Sequence, residues 1–326
     1  LPEKIQARRL RWKWALASLP FLVHAIWAAA THRFRLEHGI ELGLVLASSV
    51  AGPRMKKLFA GAYPLALVWV LFDAMKAVEN VGVSPGSVHL CDLRAHEIAL
   101  FGVNVNGQRG SLHDWFQLHS SPVLDRICAV PYAGFILVCV SFAMWLYVRD
   151  YPRMVRFAWC FFALNVAGFL TYHLYPSAPP WYFHAHGCAI DVHAAASEGP
   201  NLARVDAWLG VPYFATMYGR SSDVFGAMPS LHCAYACLVA LEGWPAFRAR
   251  GRVATIAFFA LMCFSAIYLD HHWVLDAIGG ITYCVTIVAI ARALMPIRAR
   301  ARATRPGPRL AQATSSGTVR VADHGA

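Results

Sequence analysis

Two histidines forty positions apart carry the chemistry legible in this chain. His232 closes the segment Phe225-Gly226-Ala227-Met228-Pro229-Ser230-Leu231-His232, and His272 opens His272-Trp273-Val274-Leu275-Asp276. His272 and Asp276 stand four apart at the start of an apolar run, so on a helix they share a face, with Cβ atoms roughly 5–6 Å apart. A carboxylate bonded to one imidazole nitrogen fixes the tautomer and leaves the other nitrogen basic. This is how a third group supports a nucleophile. A carboxylate inside an apolar span is costly without a partner, which marks Asp276 as a functional candidate. Alone, the pair would better suit a polar helix start at an interface. The serine segment adds a second half. Pro229 suits a first helical turn, a helix start offers free amides and a positive dipole end to a phosphate, Ser230 adds a hydroxyl donor, and His232 can serve as general acid and then base.

The elements that must position these groups are membrane helices. Of 326 residues, 58% are hydrophobic and 14% charged, with a mean hydropathy of +0.45. A soluble domain carries about 25% charged residues, so the composition is that of an integral membrane protein. Eight candidate spans cover 12–30, 38–53, 58–75, 128–148, 155–174, 229–247, 252–269 and 272–295; the second is short, carries Glu41, and suits an interfacial or re-entrant helix as well. The expected fold is therefore all-α and polytopic, with about eight transmembrane helices. Two spans separate the histidines, so the chain crosses and returns, and both histidines belong at one membrane face. The chain opens on Leu1 in place of an initiator Met, which suggests trimming. The first apolar run lacks a small-residue cleavage site after it, so it reads as a retained anchor.

Lys and Arg set the orientation. Twenty-one of 29 fall in one set of segments, comprising the N-terminal stretch, Arg54 to Lys57, Arg149 to Arg156, Arg248 to Arg252, and the end of the chain from Arg292. The opposite set holds Arg33, Arg35, Lys76, Arg94, Arg109, Arg126, Arg204 and Arg220. Both termini are thus expected in the cytoplasm, with loops 76–127 and 175–228 and both histidines outside. The expected organisation is N-terminal membrane helices over 1–57, a catalytic transmembrane domain over 58–295, and a basic, disordered cytoplasmic tail over 296–326. The net charge of +11 sits in short clusters between apolar spans, which excludes nucleic acid as a partner. Seven of nine cysteines lie in or beside spans as small apolar packers. Only Cys91 and Cys188 lie in the long outer loops, where an oxidising exterior would allow a disulfide. No zinc-type spacing is present, and neither metal nor cofactor is expected.

Gly226-Ala227-Met228-Pro229-Ser230-Leu231-His232, with His272 and Asp276, resembles the membrane-bound type 2 phosphatidic acid phosphatase superfamily. Within it the chain is most similar to the inositol phosphorylceramide synthases. The features shared with that branch are Tyr175-Pro176-Ser177-Ala178-Pro179-Pro180-Trp181-Tyr182, Leu202-Ala203-Arg204-Val205-Asp206, Val224-Phe225 before the serine motif, Phe72-Asp73-Ala74-Met75-Lys76 and the doubled His271-His272. The resemblance spans roughly 58–290. It implies a six-helix catalytic core behind added N-terminal helices, and a metal-free phosphohistidine step. In that step His272 attacks phosphorus, Asp276 orients it, and His232 protonates the departing lipid alcohol and then activates the accepting one. In the synthase branch phosphatidylinositol is the donor and ceramide the acceptor.

The departures from the superfamily bear on the reaction. Its lipid phosphatases carry Lys followed by Arg-Pro seven residues on, and an Arg six residues before the nucleophilic His. Here the only Arg-Pro is Arg305-Pro306, and position 266 is Ala. A phosphodiester, with one negative charge, needs less neutralisation than a phosphomonoester, which favours headgroup transfer. Lys76 and Arg220 are the expected replacement cations, ahead of Arg94, Arg109 and Arg204. Asp73 is expected to pair with Lys76 or line the pocket, with His173, Tyr175, Trp181 and His271 as further lining. Glu242 is expected near Arg248, without a catalytic role. Three readings follow: a phospholipid headgroup transferase moving phosphoinositol onto ceramide or a related lipid alcohol; a lipid or polyprenyl phosphate phosphatase; and a non-catalytic membrane scaffold or transporter. The Ala- and Arg-rich composition suggests a bacterial inner or plasma membrane with an external site; in a fungus the equivalent would be the Golgi lumen. The sequence leaves open whether a partner subunit is needed.

Overall fold

The computed structural model describes residues 3–78, 81–194, 201–218 and 224–297. Its framework is helical: α1 (Glu3–Ala30), α2 (Leu36–Val50), α3 (Pro53–Val78), α4 (Cys91–Phe101), α5 (Leu112–Leu118), α6 (Pro122–Arg149), α7 (Tyr151–Leu174), α8 (Pro180–His186), α9 (Ala203–Leu209), α10 (Tyr213–Tyr218), α11 (Leu231–Gly243), α12 (Ala249–Tyr268) and α13 (Val274–Leu294). The sheet content is a small hairpin, β1 (Val103–Val105) with β2 (Gln108–Gly110), turning through Asn106 and Gly107 in the left-handed region.

Each expected apolar segment coincides with a helix. Five are long and apolar enough to cross a bilayer: α3, α6, α7, α12 and α13. Two shorter apolar stretches are Leu16–Ala30 of α1 and all of α11. The 15 residues of α2 extend only about 22 Å, less than the roughly 30 Å of a hydrocarbon core. At 13 residues α11 is shorter still, and all but two of its residues are buried. It packs against α6, α7, α12 and α13, which explains why its sequence is apolar on every side rather than amphipathic.

The core runs along this central helix. One cluster joins Phe142, Phe157, Phe161, Leu164, Tyr235, Leu238 and Val288, and a second joins Tyr132, Phe214, Met262, Ala266 and Tyr268. At the helix ends opposite the serine motif, Glu242 is fully buried. Its partners are Arg156 at 2.8 Å, Arg292 at 3.4 Å and Arg153 at 3.6 Å, not Arg248 as expected. The reason is location: Glu242 faces α7 and α13, whereas Arg248 is an exposed cap of α12.

The outer loops are structured. α4 and α8 pack over the start of α13, with Leu90, Trp181, Tyr182, Phe225 and Trp273 between them, and the His113 ring of α5 meets Trp273 edge-on at 5.0 Å. A disulfide joins Cys91 to Cys188 across 97 positions. Of the basic tail expected over 296–326, residues 298–326 lie outside the described residues.

Candidate active site

The serine segment is held from below and from the side. Ser230 caps α11: its Oγ accepts the amide of Cys233 at 3.4 Å. Pro229 therefore precedes the cap instead of sitting in the first turn, and its carbonyl accepts the Tyr172 hydroxyl at 2.9 Å. Ser177, fully buried, forms bridges to both His89 and Gly226. Its amide donates to Phe225 O at 2.7 Å, its carbonyl accepts from Ala227 N at 3.1 Å, and its Oγ accepts from Met228 N at 2.9 Å. The Tyr175–Tyr182 segment is thus a brace for the serine segment, a role its stiff, aromatic sequence does not announce.

The turn that carries His272 is capped from several directions. The Ala266 carbonyl accepts the amides of both His271 (3.1 Å) and His272 (3.0 Å). Asp276 Oδ2 accepts the Trp273 amide at 2.9 Å. Glu97, fully buried on α4, accepts the amides of Val274 (2.9 Å) and Leu275 (3.2 Å), one on each carboxylate oxygen. Those first amides of α13 have no intrahelical acceptor, and Glu97 is the buried charge that answers them. Burial raises the affinity of Glu97 for a proton above the ordinary carboxylate range, opposed by these amide bonds. Ser230 then ties the two halves together by donating its amide to Asp276 O at 2.9 Å.

As a result His232 Nδ1 lies 3.1 Å from His272 Nε2. His272 Nδ1 lies 3.0 Å from the Ala227 carbonyl and 3.7 Å from Asp276 Oδ2. A carbonyl only accepts, so Nδ1 of His272 carries the proton and Nε2 holds the lone pair that faces His232. The orienting contact foreseen for Asp276 is therefore shared. Ala227 takes the direct hydrogen bond, and Asp276, one of whose oxygens is committed to the Trp273 amide, supplies negative charge just behind it. His272 is 6% exposed. His232 stacks on Tyr132 (4.8 Å) and meets Phe135 edge-on (4.7 Å), so apolar rings fix its plane.

The remaining expected residues divide. His271 is buried beside the Tyr132 and Tyr218 rings, at 5.0 and 5.1 Å, with its Nε2 unpartnered among the described residues. Trp181 packs beside Trp273 and donates its amide to Asp270 O. Tyr175 stacks on His89 at 3.9 Å, and His173 lies exposed on the last turn of α7. Asp73 does not pair with Lys76. It is bound by Arg35, by His24 at 3.2 Å and by His38 at 3.0 Å, all from the N-terminal helices. Lys76 instead lies over the Phe72 ring at 4.8 Å. Two buried histidines and an exposed arginine outcompete a neighbour on the same helix face. The Arg35 amide donates to His38 Nδ1 at 2.9 Å, so His38 Nε2 carries a proton toward Asp73. That leaves no lone pair there for a metal, although His24, His38 and Asp73 have metal-ligand types.

The outer arginines serve structure. Arg204 forms a bidentate pair with Asp125 (2.9 and 2.8 Å), Arg94 binds Asp114 (2.8 Å), and Arg109 caps carbonyls at the end of α4. Arg220 lies outside the described residues. Ala266 is fully buried in the core, so no cation reaches the histidines from that position.

Comparison with known proteins gives the family. The family model described as the PAP2 superfamily matches residues 107–291. The chain is 31% identical to a phosphoinositol dihydroceramide synthase of Bacteroides thetaiotaomicron, over 78% of this chain and 83% of that protein. It is 27% identical to the inositol phosphorylceramide synthase catalytic subunit of Schizosaccharomyces pombe, over 88% of this chain and 67% of that one. Against the inositol phosphorylceramide synthase of Candida albicans it is 30% identical over 83% of this chain and 55% of that one. No solved structure matches the chain. With the family model covering more than half of its length, the chain belongs to the PAP2 superfamily, in the branch of the inositol phosphorylceramide synthases.

Proposed function

We propose that the protein transfers phosphoinositol from phosphatidylinositol to ceramide or a related lipid alcohol through a phosphohistidine. The observation that carries this reading is the 3.1 Å contact between His232 Nδ1 and His272 Nε2, in a chain whose named relatives make inositol phosphorylceramide or its dihydro form. His272 Nε2 attacks phosphorus, the bond to the diacylglycerol oxygen breaks, and His232 gives that oxygen its proton. The accepting hydroxyl then loses its proton to His232 and attacks the same phosphorus, and the bond to His272 breaks. For phosphorus to reach Nε2, the contact between the two rings must open as substrate enters.

Ser230 and the first amides of α11 are the phosphate-binding groups of this reading, with Arg220 and Lys76 as candidate cations. Among the described residues no Lys or Arg bonds to Ser230, His232 or His272. That supports a singly charged phosphodiester as substrate over a phosphomonoester dianion. The distribution of Lys and Arg supports cytoplasmic termini and a site on the external face, with helices over 1–57 ahead of a catalytic domain over 58–295 and a cytoplasmic tail over 296–326.

Purified protein supplied with labelled phosphatidylinositol and ceramide tests the assignment. Inositol phosphorylceramide is the expected product. Release of phosphate from phosphatidic acid without transfer would make the protein a phosphatase, and neither product would leave a scaffold.

A further inference from the structure

An imidazole of the outer layer, His184, has both ring nitrogens against carboxylates. Its Nδ1 lies 2.6 Å from Asp270 Oδ2 and its Nε2 lies 3.1 Å from Asp114 Oδ1. Ionised carboxylates only accept, so both nitrogens carry protons and the ring is an imidazolium. Asp270 begins the turn Asp270-His271-His272. It is 1% exposed and adopts φ +67°, a left-handed conformation that a residue with a Cβ adopts only when its surroundings enforce it. It is over-determined by contacts. Gln117 Nε2 donates to Oδ2 at 3.0 Å, His113 Nδ1 lies 3.2 Å from Oδ1, and the Trp181 amide donates to the Asp270 carbonyl at 3.0 Å.

We propose that His184, as an imidazolium clamped between Asp114 and Asp270, is a positioning residue that holds the His272 turn in register for headgroup transfer. The proposal rests on the transferase reading above. Trp181 and His184 both sit on α8 and grip the same aspartate, one by its carbonyl and one by its carboxylate. The disulfide at Cys188 anchors the chain just beyond them to α4. Losing the His184 proton would replace one of its two hydrogen bonds with a lone pair facing a carboxylate.

The charges around the ring set when that happens. Facing it are Asp114 of α5 and Asp270 of the turn. Arg94 of α4 binds Asp114, and His113 of α5 stands at Asp270. Burial disfavours charge on His184, but the hydrogen bonds to Asp114 and Asp270 outweigh it and lift its pKa from 6.5 to about 9. Burial likewise opposes ionisation of Asp270, and His113 and His184 overcome it, lowering its pKa to about 2. Because the folded value of His184 lies above its ordinary one, the clamp contributes fully below about pH 6.5 and is lost as pH rises through about 9.

The experiment compares kcat and KM of the full-length protein and its variants in proteoliposomes from about pH 7 to about pH 10, a range that brackets the His184 titration. In the wild type, kcat should fall about tenfold per pH unit above about pH 9, as a single essential proton requires, with KM for phosphatidylinositol nearly unchanged. His184→Gln should lower kcat about tenfold or more at neutral pH, the scale of a displaced catalytic group, and lose the alkaline limb. His184→Lys, a cation with several donors, should regain part of that kcat and carry its activity to higher pH than the wild type. Asp114→Asn should move the limb about one unit or more toward neutrality, since an opposite charge has gone. His184→Gln with the wild-type limb intact, or a limb unmoved by Asp114→Asn, overturns the proposal. A wild type that makes no inositol phosphorylceramide at any pH overturns the substrate assignment instead, and the limbs are then compared with whichever phospholipid donor it turns over.

Discussion

Gly280 of α13 lies against the backbone of Ser230: a Cβ at position 280 would sit 2.1 Å from the Ser230 carbonyl oxygen. The preceding residue, Gly279, would bring a Cβ no nearer than 3.6 Å to Pro229. The close approach is what lets the Ser230 amide reach Asp276 O, and it brings the two histidine-bearing elements together. Gly280→Ala should therefore separate them, costing about 1–3 kcal/mol of stability and most of the transfer activity. Gly279→Ala should change both little. Thermal unfolding and turnover of the two variants check this, and equal behaviour would disprove it.

Replacing His272 with Ala should abolish turnover and any acid-labile covalent phosphate on the protein. His232→Ala should lower turnover about 10²–10⁴-fold, the range for losing a general acid and base. Trapping with headgroup-labelled phosphatidylinositol reads both, and retained label on the His272 variant would end the phosphohistidine mechanism.

Asp276→Asn should be milder than His272→Ala. A carboxamide oxygen can still accept the Trp273 amide, and the Ala227 carbonyl still holds His272 Nδ1. What is lost is the negative charge 3.7 Å behind the ring. A drop of about 10²-fold in kcat, the scale of a slightly misplaced or weakened catalytic group, is expected with an unchanged melting temperature.

Glu97→Ala should strand the part-buried amides of Val274 and Leu275. Each unsatisfied group costs about 1–3 kcal/mol, so a clear fall in melting temperature should accompany loss of activity. Glu97→Gln, with one accepting oxygen, should fall between.

Under denaturing, non-reducing conditions seven of the nine cysteines should react with a thiol reagent, with Cys91 and Cys188 protected. Reduction should lower thermal stability, because a cross-link closing a loop of this length restricts the unfolded chain by up to about 5 kcal/mol.

Much of this architecture is legible in the sequence. Apolar runs of bilayer length give each long helix, and the offsets at Ser230, His232, His272 and Asp276 give the heart of the site, because helix periodicity and capping are local rules. The groups that hold it are not legible. Glu97, Asp114, His184 and Asp270 act across the fold on amides and imidazoles far away in sequence, and nothing in their own neighbourhoods marks them. Ala227 contributes through its carbonyl, which every residue has. Asp73 shows the opposite failure: the local rule pairs it with Lys76, yet Arg35, His24 and His38 arrive from other helices and take it.

Two helix starts face the histidine pair, and their fates differ. At α13 the leading amides of Trp273, Val274 and Leu275 are already spent on Asp276 and Glu97. At α11 the Ser230 amide is spent on Asp276 O and the Cys233 amide on the Ser230 hydroxyl, which leaves those of Leu231 and His232. In the proposed reaction, an anion entering between the rings would therefore find unspent helix-start amides on the serine side and amides already bound to Asp276 and Glu97 on the other.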